Sequence, residues 1–207
     1  METHSLQMHC RRIILLQLQL LVIAFIASSP GIAGDNLDNQ EKLPSNSWYL
    51  LVGAGSSHPG WGATQEKVET TDIILRQKRP QTRTRGESWY LNRKSVLVEI
   101  PLTLLREPDE PAMIGFTMNV NWTFIASQRF QPFIFAGGGP VYTKAEIPGT
   151  SSRLKGSYQA GIGLDFLLGR FGMSVEYRYH HLSNGGLKEP NAPLNSGKLL
   201  LGFRLPF

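Results

Sequence analysis

A two-residue hydrophobic period, sustained over long segments, is the feature that most constrains this chain. In the segment 113–126, apolar side chains from Ile114 to Phe124 alternate with Gly, Thr and Asn. The segments 157–168 and 198–207 repeat the pattern. Successive residues of a β-strand point to opposite faces, so this period predicts strands with one apolar and one polar face. Helical periodicity is scarce, and the chain is therefore predicted to be all-β.

The length of these segments favours a membrane barrel over a soluble sandwich. A membrane-spanning strand needs about nine to eleven residues, whereas strands of soluble proteins have about five or six. The polar faces are rich in Gly, Ser, Thr and Asn, which suit the crowded interior of a small barrel. The chain also ends in Phe207 after alternating apolar residues, as bacterial outer-membrane barrels do. Aromatic residues can supply interfacial girdles, and the candidates are Trp48, Tyr49, Trp122, Tyr158 and Tyr177.

Eight segments fit strands, and an even number is what a closed single-chain barrel requires. They are 48–55, 68–77, 95–105, 113–126, 131–143, 155–168, 171–184 and 196–207. We expect the second and third strands to extend into 78–94 and to turn near residues 85–87. The run Gly137-Gly138-Gly139-Pro140 predicts a bend or bulge within the fifth strand. The predicted fold class is an all-β, eight-stranded antiparallel transmembrane outer-membrane β-barrel.

The N-terminus has the pattern of a signal peptide. Arg11 and Arg12 precede the apolar segment 13–27, and small residues follow at Gly31 and Ala33. Cleavage after Ala33 would leave residues 34–207 as one β-barrel domain. An N-terminal membrane anchor is the alternative. The only cysteine precedes the apolar segment, so the mature chain is expected to have no thiol chemistry.

Composition argues against several other functions. The formal net charge is +5, but the basic residues are scattered and are not interleaved with aromatic residues, so no nucleic-acid partner is expected. The histidines have no metal-ligand spacing, and neither a metal nor a cofactor is expected. The glycine run at 137–139 has no helix after it, which argues against a phosphate-binding loop. A homodimer is compatible with the sequence, and the oligomeric state is left open.

The segment 175–196 contains the residues that predict chemistry. His181 and Ser183 share the face of strand seven that we predict to contact lipid. Polar and ionisable groups are costly on that face, which favours a functional role. An imidazole two positions from a hydroxyl projects the same way and can accept its proton, which activates the serine. The turn at 184–186 supplies backbone N–H groups and an amide that can hold an oxyanion.

Barrel topology places this segment in the outer leaflet. Periplasmic turns are short, and an even strand count puts both chain ends on the periplasmic side. Strand seven then runs outward and ends near Ser183, where lipopolysaccharide is present. The predicted site therefore faces an acylated glycolipid.

The segment His181-Leu182-Ser183-Asn184 resembles the lipid A 3-O-deacylases (PagL type), also called acyloxyacyl hydrolases. The resemblance continues through residues 185–188 and Pro190-Asn191. It implies a serine esterase of the cell outer membrane that removes the 3-O-linked acyl chain from lipid A of lipopolysaccharide. It also implies Ser183 as nucleophile and His181 as base. The residues that it implies for the oxyanion hole and substrate positioning are Asn184, Gly186 and Asn191.

One position departs from the family pattern. Type members have a glutamate twelve residues after the serine to orient the histidine, and this chain has Asn195 there. An asparagine can hold an imidazole, as in Cys-His-Asn proteases, but it stabilises the imidazolium less. Glu189 and Glu176 are alternatives for the third catalytic residue. Glu176 ranks last because strand alternation points it inward, and His180 is expected in a lumenal network.

Two non-enzymatic alternatives remain open at this stage. The chain can be a structural or adhesion barrel that retains a relic of the site, and Asn195 is the best support for that view. It can also be a soluble periplasmic barrel that binds an apolar ligand, with its apolar faces turned inward. His58 has no partner nearby in the sequence and is taken as structural.

The predicted cleavage site can be tested directly. We expect protein isolated from the outer membrane of a Gram-negative host to begin at Gly34, because secretory signal peptides are removed after a small residue. N-terminal sequencing and intact-mass measurement check this. A full-length mass of 23.1 kDa would instead support the N-terminal anchor.

Overall fold

The computed structural model describes residues 45–85, 91–106, 112–125, 127–144, 147, 149–169 and 171–206. The predicted signal peptide, Phe207 and part of the expected turn at 85–87 lie outside them. The regular secondary-structure elements of the described residues are all strands: β1 (Ser47–Ser57), β2 (Glu69–Pro80), β3 (Asn92–Leu105), β4 (Ala112–Gly115), β5 (Thr117–Phe124), β6 (Phe130–Thr143), β7 (Leu154–Leu168), β8 (Phe171–Ser183) and β9 (Leu194–Arg204). Loops and turns connect them. None of the described segments is a helix long and apolar enough to cross a membrane.

The strands close into a barrel. β4 and β5 are two parts of one strand, because both pair with β3 on one side and with β6 on the other. With these two parts joined, each strand pairs antiparallel with the next along the chain, and β9 pairs with β1. The result is a closed antiparallel barrel of eight strands. The predicted fold class and strand number are confirmed.

Prolines explain the interruption between β4 and β5. The Phe116 N–H donates to the Pro140 carbonyl oxygen at 3.0 Å, but proline has no N–H to donate in return. On the other side, Pro101 lies beside Gly115, and a Cβ added to that glycine would lie 3.2 Å from the Pro101 Cγ. The ladder therefore loses hydrogen bonds here without a change of register.

The predicted bulge at residues 137–140 is wrong. β6 pairs with β7 in one unbroken register from Phe130 to Tyr142. The glycines instead allow neighbouring strands to approach closely. A Cβ on Gly137 would lie 2.1 Å from the Met118 carbonyl oxygen, and one on Gly139 would lie 2.0 Å from that of Phe116.

The outer face of the barrel is apolar and the lumen is polar. Along β8, Met173, Val175 and Tyr177 are exposed, while the intervening Ser174 and Glu176 are buried. The outward set matches the apolar band by which a transmembrane barrel contacts lipid. This arrangement is the reverse of a soluble barrel with apolar faces inward, and that alternative is wrong.

Two arginines and two glutamates form the centre of the lumen. Arg76 Nε donates to Glu99 Oε1 at 2.6 Å, and Arg76 Nη1 lies 2.8 Å from Glu176 Oε2. Arg178 Nη1 lies 3.1 Å from Glu99 Oε2, and Arg178 also pairs with Glu176. The four charges cancel, as buried charges must to offset their desolvation. The ion pairs connect β2, β3 and β8 across the barrel.

Removal of Glu99 is expected to destabilise the barrel strongly. A Glu99→Ala substitution leaves two buried guanidinium groups short of a counter-charge, which costs about 3–5 kcal/mol in the free energy of unfolding. Urea unfolding of the protein in detergent micelles or lipid vesicles measures the change. The matched control is Glu69→Ala at the exposed Lys67–Glu69 pair, where we expect little change in the free energy of unfolding. Equal effects at both positions would contradict this account of the lumen.

Candidate active site

His181 and Ser183 lie on the outer face at the end of β8, as alternation predicted. The His181 Nε2 atom is 3.3 Å from the Ser183 Oγ atom, and Ser183 is the last residue of the strand. Side chains two positions apart on a strand point to the same face, so this spacing brings the His181 imidazole and the Ser183 hydroxyl together. The pair has the geometry of a base beside a hydroxyl nucleophile.

Asn195 completes a row of three side chains. The register of β8 and β9 places it directly opposite His181, and its Oδ1 lies 2.7 Å from the His181 Nδ1. The Tyr179 hydroxyl donates to the same oxygen at 2.7 Å. Since an amide oxygen only accepts, Nδ1 carries the proton and Nε2 turns its lone pair toward Ser183. The structure thus brings together His181, Ser183 and Asn195.

Neither glutamate takes the place of Asn195. Glu176 is lumenal and pairs with Arg76 and Arg178, so its predicted inward direction is confirmed. Glu189 lies in the exposed connection between β8 and β9, and no hydrogen bond among the described residues joins it to His181. His180 is also lumenal, where its Nε2 lies 2.9 Å from the Ser157 Oγ.

The turn after Ser183 contains the residues expected near an oxyanion. The Asn184 backbone N–H donates to the Asn191 Oδ1 at 2.9 Å, and the Asn184 Nδ2 donates to the Lys188 carbonyl at 2.6 Å. The Gly186 N–H donates to the Asn184 Oδ1 at 2.9 Å. The Asn184 side chain and the Gly186 N–H are therefore engaged within the turn. Two donors beside them, the Gly185 N–H and the Asn191 Nδ2, have no acceptor among the described residues.

Glycine is required at the turn because of its backbone conformation. Gly185 has φ of 65° and Gly186 has φ of 75°, which is the left-handed region that other residues rarely adopt. Neither position has an atom within 4 Å of where a Cβ would lie. Conformation, not space, therefore selects glycine at both positions.

The loop between β1 and β2 contributes residues that sequence reasoning did not find. The Asn195 Nδ2 donates to the Trp61 carbonyl at 2.7 Å and to the Thr64 Oγ1 at 3.0 Å. The Trp61 ring lies 5.9 Å from the Tyr179 ring and 4.4 Å from the His58 ring. No spacing rule joins Trp61 to a residue 134 positions away. His58, taken as structural from the sequence, packs in this loop.

A groove of about 370 Å³ lies over β1 and β9 and is bordered by His58 of the β1–β2 loop. Tyr177, Leu199 and small residues of β1 and β9 line one part of it, and the charged residues Glu69, Arg106 and Lys198 line another. A Cβ on Gly197 would lie 2.6 Å from the Tyr177 hydroxyl oxygen, so glycine is needed there for the tyrosine to lie across β9. The lining of the groove thus combines small, aromatic and charged residues.

Comparison with known proteins agrees with this geometry. The family model described as "Lipid A 3-O-deacylase (PagL)" matches residues 79–204, which contain every residue of the Ser183–His181–Asn195 row. The chain belongs to this family. A search of the curated proteins found no match for this member of the lipid A 3-O-deacylase family.

Solved outer-membrane structures share the fold of this deacylase-family chain. The crystal structure of the outer membrane enzyme PagL is 24% identical with a TM-score of 0.58, and the match covers 79% of this chain and 100% of that one. The crystal structure of Neisserial surface protein A is 11% identical with a TM-score of 0.53, covering 81% and 100%. At these identities the likeness shows the fold, which is that of an outer-membrane barrel.

The turn after Ser183 is expected to depend on the Asn184 side chain. An Asn184→Ala substitution removes the acceptor of the Gly186 N–H and the donor to the Lys188 carbonyl, which should cost about 1–2 kcal/mol of local stability. Hydrogen exchange measures this as faster exchange of the Gly186 amide. Lys188→Ala is the matched control, because it keeps the carbonyl and should leave that amide protected. Unchanged exchange in Asn184→Ala would show that the turn does not need this amide.

Proposed function

We propose that this protein removes the 3-O-linked acyl chain from lipid A of lipopolysaccharide by a serine-histidine mechanism. The observation that carries the proposal is the row of Ser183, His181 and Asn195 on the outer face of a barrel of this family. A hydrolytic site on the lipid-facing side is suited to a substrate that is itself part of the membrane. The cell outer membrane is the location that the fold supports.

The reaction begins at the ester carbonyl carbon. His181 Nε2 accepts the proton of the Ser183 hydroxyl while Oγ attacks that carbon, and the 3.3 Å separation shortens as substrate binds. The protonated imidazole then gives the proton to the departing 3-oxygen of the sugar. An acyl-serine remains. Water, deprotonated by His181, attacks the acyl-serine, and the imidazolium returns the proton to Oγ as the C–Oγ bond breaks. This step releases a 3-hydroxy fatty acid and restores Ser183.

Asn195 holds the imidazole without a formal charge. Its Oδ1 accepts from Nδ1 and keeps Nε2 available as the base. A carboxylate at this position would also stabilise the imidazolium that forms in the transition state. We therefore expect a slower chemical step than in a site with a glutamate, but the same order of events.

Donors near the turn are suited to hold the oxyanion. The Gly185 N–H and the Asn191 Nδ2 are available, because Asn191 uses only its Oδ1 within the turn. Asn184 and Gly186 then act by shaping the turn that presents these donors. Donors that are fixed before reaction stabilise developing charge without reorganisation.

The surroundings of the site support an acylated substrate. The groove over β1 and β9, of about 370 Å³, has apolar and small residues on part of its lining, which suit an acyl chain. Tyr158 and Tyr177 are exposed near the site, and amphipathic rings of this kind suit the lipid head-group region. No metal or cofactor takes part in the proposed reaction.

Mass spectrometry of lipid A tests the proposal. Cells that express the wild-type protein should lose one hydroxyacyl group from lipid A, because the ester is hydrolysed. Ser183→Ala removes the nucleophile and should lower activity by about 10⁴-fold or more, with no detectable loss of mass. Ser127→Ala, on the connection between β5 and β6, is the matched control and should act like wild type.

Folding must be established for each variant. Heat-dependent migration on a gel and recovery in outer-membrane fractions report a closed barrel. Unchanged lipid A with a folded wild-type protein would favour a non-catalytic barrel that retains a relic of the site. Activity retained by Ser183→Ala would overturn the mechanism.

A further inference from the structure

The loop between β1 and β2, residues 58–68, contacts Asn195 on the side that does not face His181. Thr64 is buried, and its Oγ1 accepts from the Asn195 backbone N–H at 2.9 Å and from the Asn195 Nδ2 at 3.0 Å. The same hydroxyl donates to the Pro193 carbonyl at 3.0 Å. The Trp61 carbonyl accepts from the Asn195 Nδ2 at 2.7 Å. The loop therefore holds one side of the Asn195 amide.

The hydrogen-bonding capacity of Thr64 is fully used. A hydroxyl has one proton to donate and two lone pairs that accept. The proton goes to the Pro193 carbonyl, and both lone pairs accept from Asn195. Thr64 can therefore only accept from the side chain of residue 195, and the Trp61 carbonyl can only accept as well. Both groups on this side of residue 195 therefore require a hydrogen-bond donor from its side chain.

The other side of the Asn195 amide, its oxygen, faces Tyr179 and His181. The Asn195 Oδ1 accepts from the Tyr179 hydroxyl and from the His181 ring, each at 2.7 Å. Turning the amide by half a rotation would place its oxygen against the Trp61 carbonyl and the Thr64 hydroxyl, which both act as acceptors there. The loop thus selects one orientation of the amide. That orientation leaves the proton on the His181 Nδ1 and the lone pair on Nε2.

A carboxylate does not fit these surroundings. An aspartate at position 195 would place an oxygen without a proton at about the 2.7 Å that now separates Nδ2 from the Trp61 carbonyl oxygen. Two acceptors at that distance repel, and the aspartate oxygen would have no donor there, because Thr64 gives its only proton to the Pro193 carbonyl. The shell around residue 195 is therefore complementary to an amide and not to an acid.

Gly62 allows the loop to come this close. Its φ is 58°, and a Cβ there would lie 3.2 Å from the Asn195 Nδ2. The Thr64 N–H also donates to the Trp61 carbonyl at 3.2 Å, which closes the turn between the two residues that contact Asn195. The contact is a built feature of the loop and does not depend on one long side chain.

We propose that Thr64, together with the Trp61 carbonyl, is a positioning residue that fixes the Asn195 amide and through it the proton position on His181. This inference rests on the proposed hydrolase function, in which His181 is the base. It explains how an asparagine can serve where type members of the family have a glutamate. The β1–β2 loop is part of the site although it does not touch the reacting atoms.

Thr64→Val and Thr64→Ser are the matched pair that tests the role of the hydroxyl. With purified full-length barrel and lipid A in micelles, Thr64→Val should lower kcat by about ten- to a hundredfold, with KM nearly unchanged. Thr64→Ser keeps the hydroxyl and should restore kcat. Asn195→Asp should lower kcat as well, and not raise it. Thr64→Val should have little further effect in an Asn195→Ala background, because it acts through that amide.

A second measurement reads the histidine itself. In protein with ¹⁵N-labelled histidine, the NMR shifts of the His181 ring, assigned with the His181→Gln variant, should show a proton on Nδ1. In Thr64→Val, a fraction of the His181 rings should carry the proton on Nε2 instead. Thr64→Ser should keep the wild-type tautomer. This readout does not depend on turnover.

The outcomes separate the two proposals. Wild-type kcat and an unchanged ring in Thr64→Val would overturn the positioning role while leaving the hydrolase function intact. An Asn195→Asp variant faster than wild type would overturn it too. A wild-type protein that leaves lipid A unchanged would refute the hydrolase function, and the ring shifts would then decide the positioning role alone.

Discussion

Closure of the hydrogen-bond ladder between β1 and β9 is the constraint on which the structure depends. In a bilayer no water satisfies an open strand edge, so every spanning strand needs a partner on both sides. Closure in turn fixes which residues face lipid and which face the lumen, since alternation cannot change along a continuous register. The candidate site follows from that assignment. His181 and Asn195 meet because they are opposite each other in the β8–β9 ladder.

The division of side chains between the lumen and the outer face creates two different polar environments. The lumen concentrates buried charges that cancel, with Arg76 and Arg178 against Glu99 and Glu176. The outer face has few polar groups, and those at the end of β8 are held by neutral hydrogen bonds. A neutral orienting residue suits a site next to lipid, where an unpaired carboxylate would be costly. A neutral residue such as Asn195 stabilises the imidazolium less than a carboxylate would.

The β1–β2 loop shows how a barrel can adapt one position without altering its strands. Asn195 is tied to Thr64 and to the Trp61 carbonyl, so the amide is held from outside the sheet. Loops that connect the strands tolerate substitution, because the hydrogen bonds between the strands do not depend on them. Change in such a loop can therefore retune a residue that the ladder has already placed beside the histidine.

The sequence by itself determined the strands, the barrel and the pairing of His181 with Ser183. All three depend on a period of two, which is local and is read directly from alternating residues. The resemblance to the deacylase family also indicated Asn195, which stands where type members have a glutamate. Only the tertiary structure decided the rest. The partners of Asn195 lie 131 and 134 residues away in a loop without periodicity, and the engagement of Asn184 and Gly186 within their turn depends on side-chain directions. The interruption at Phe116 arose from prolines on neighbouring strands, which become neighbours only once the register is set.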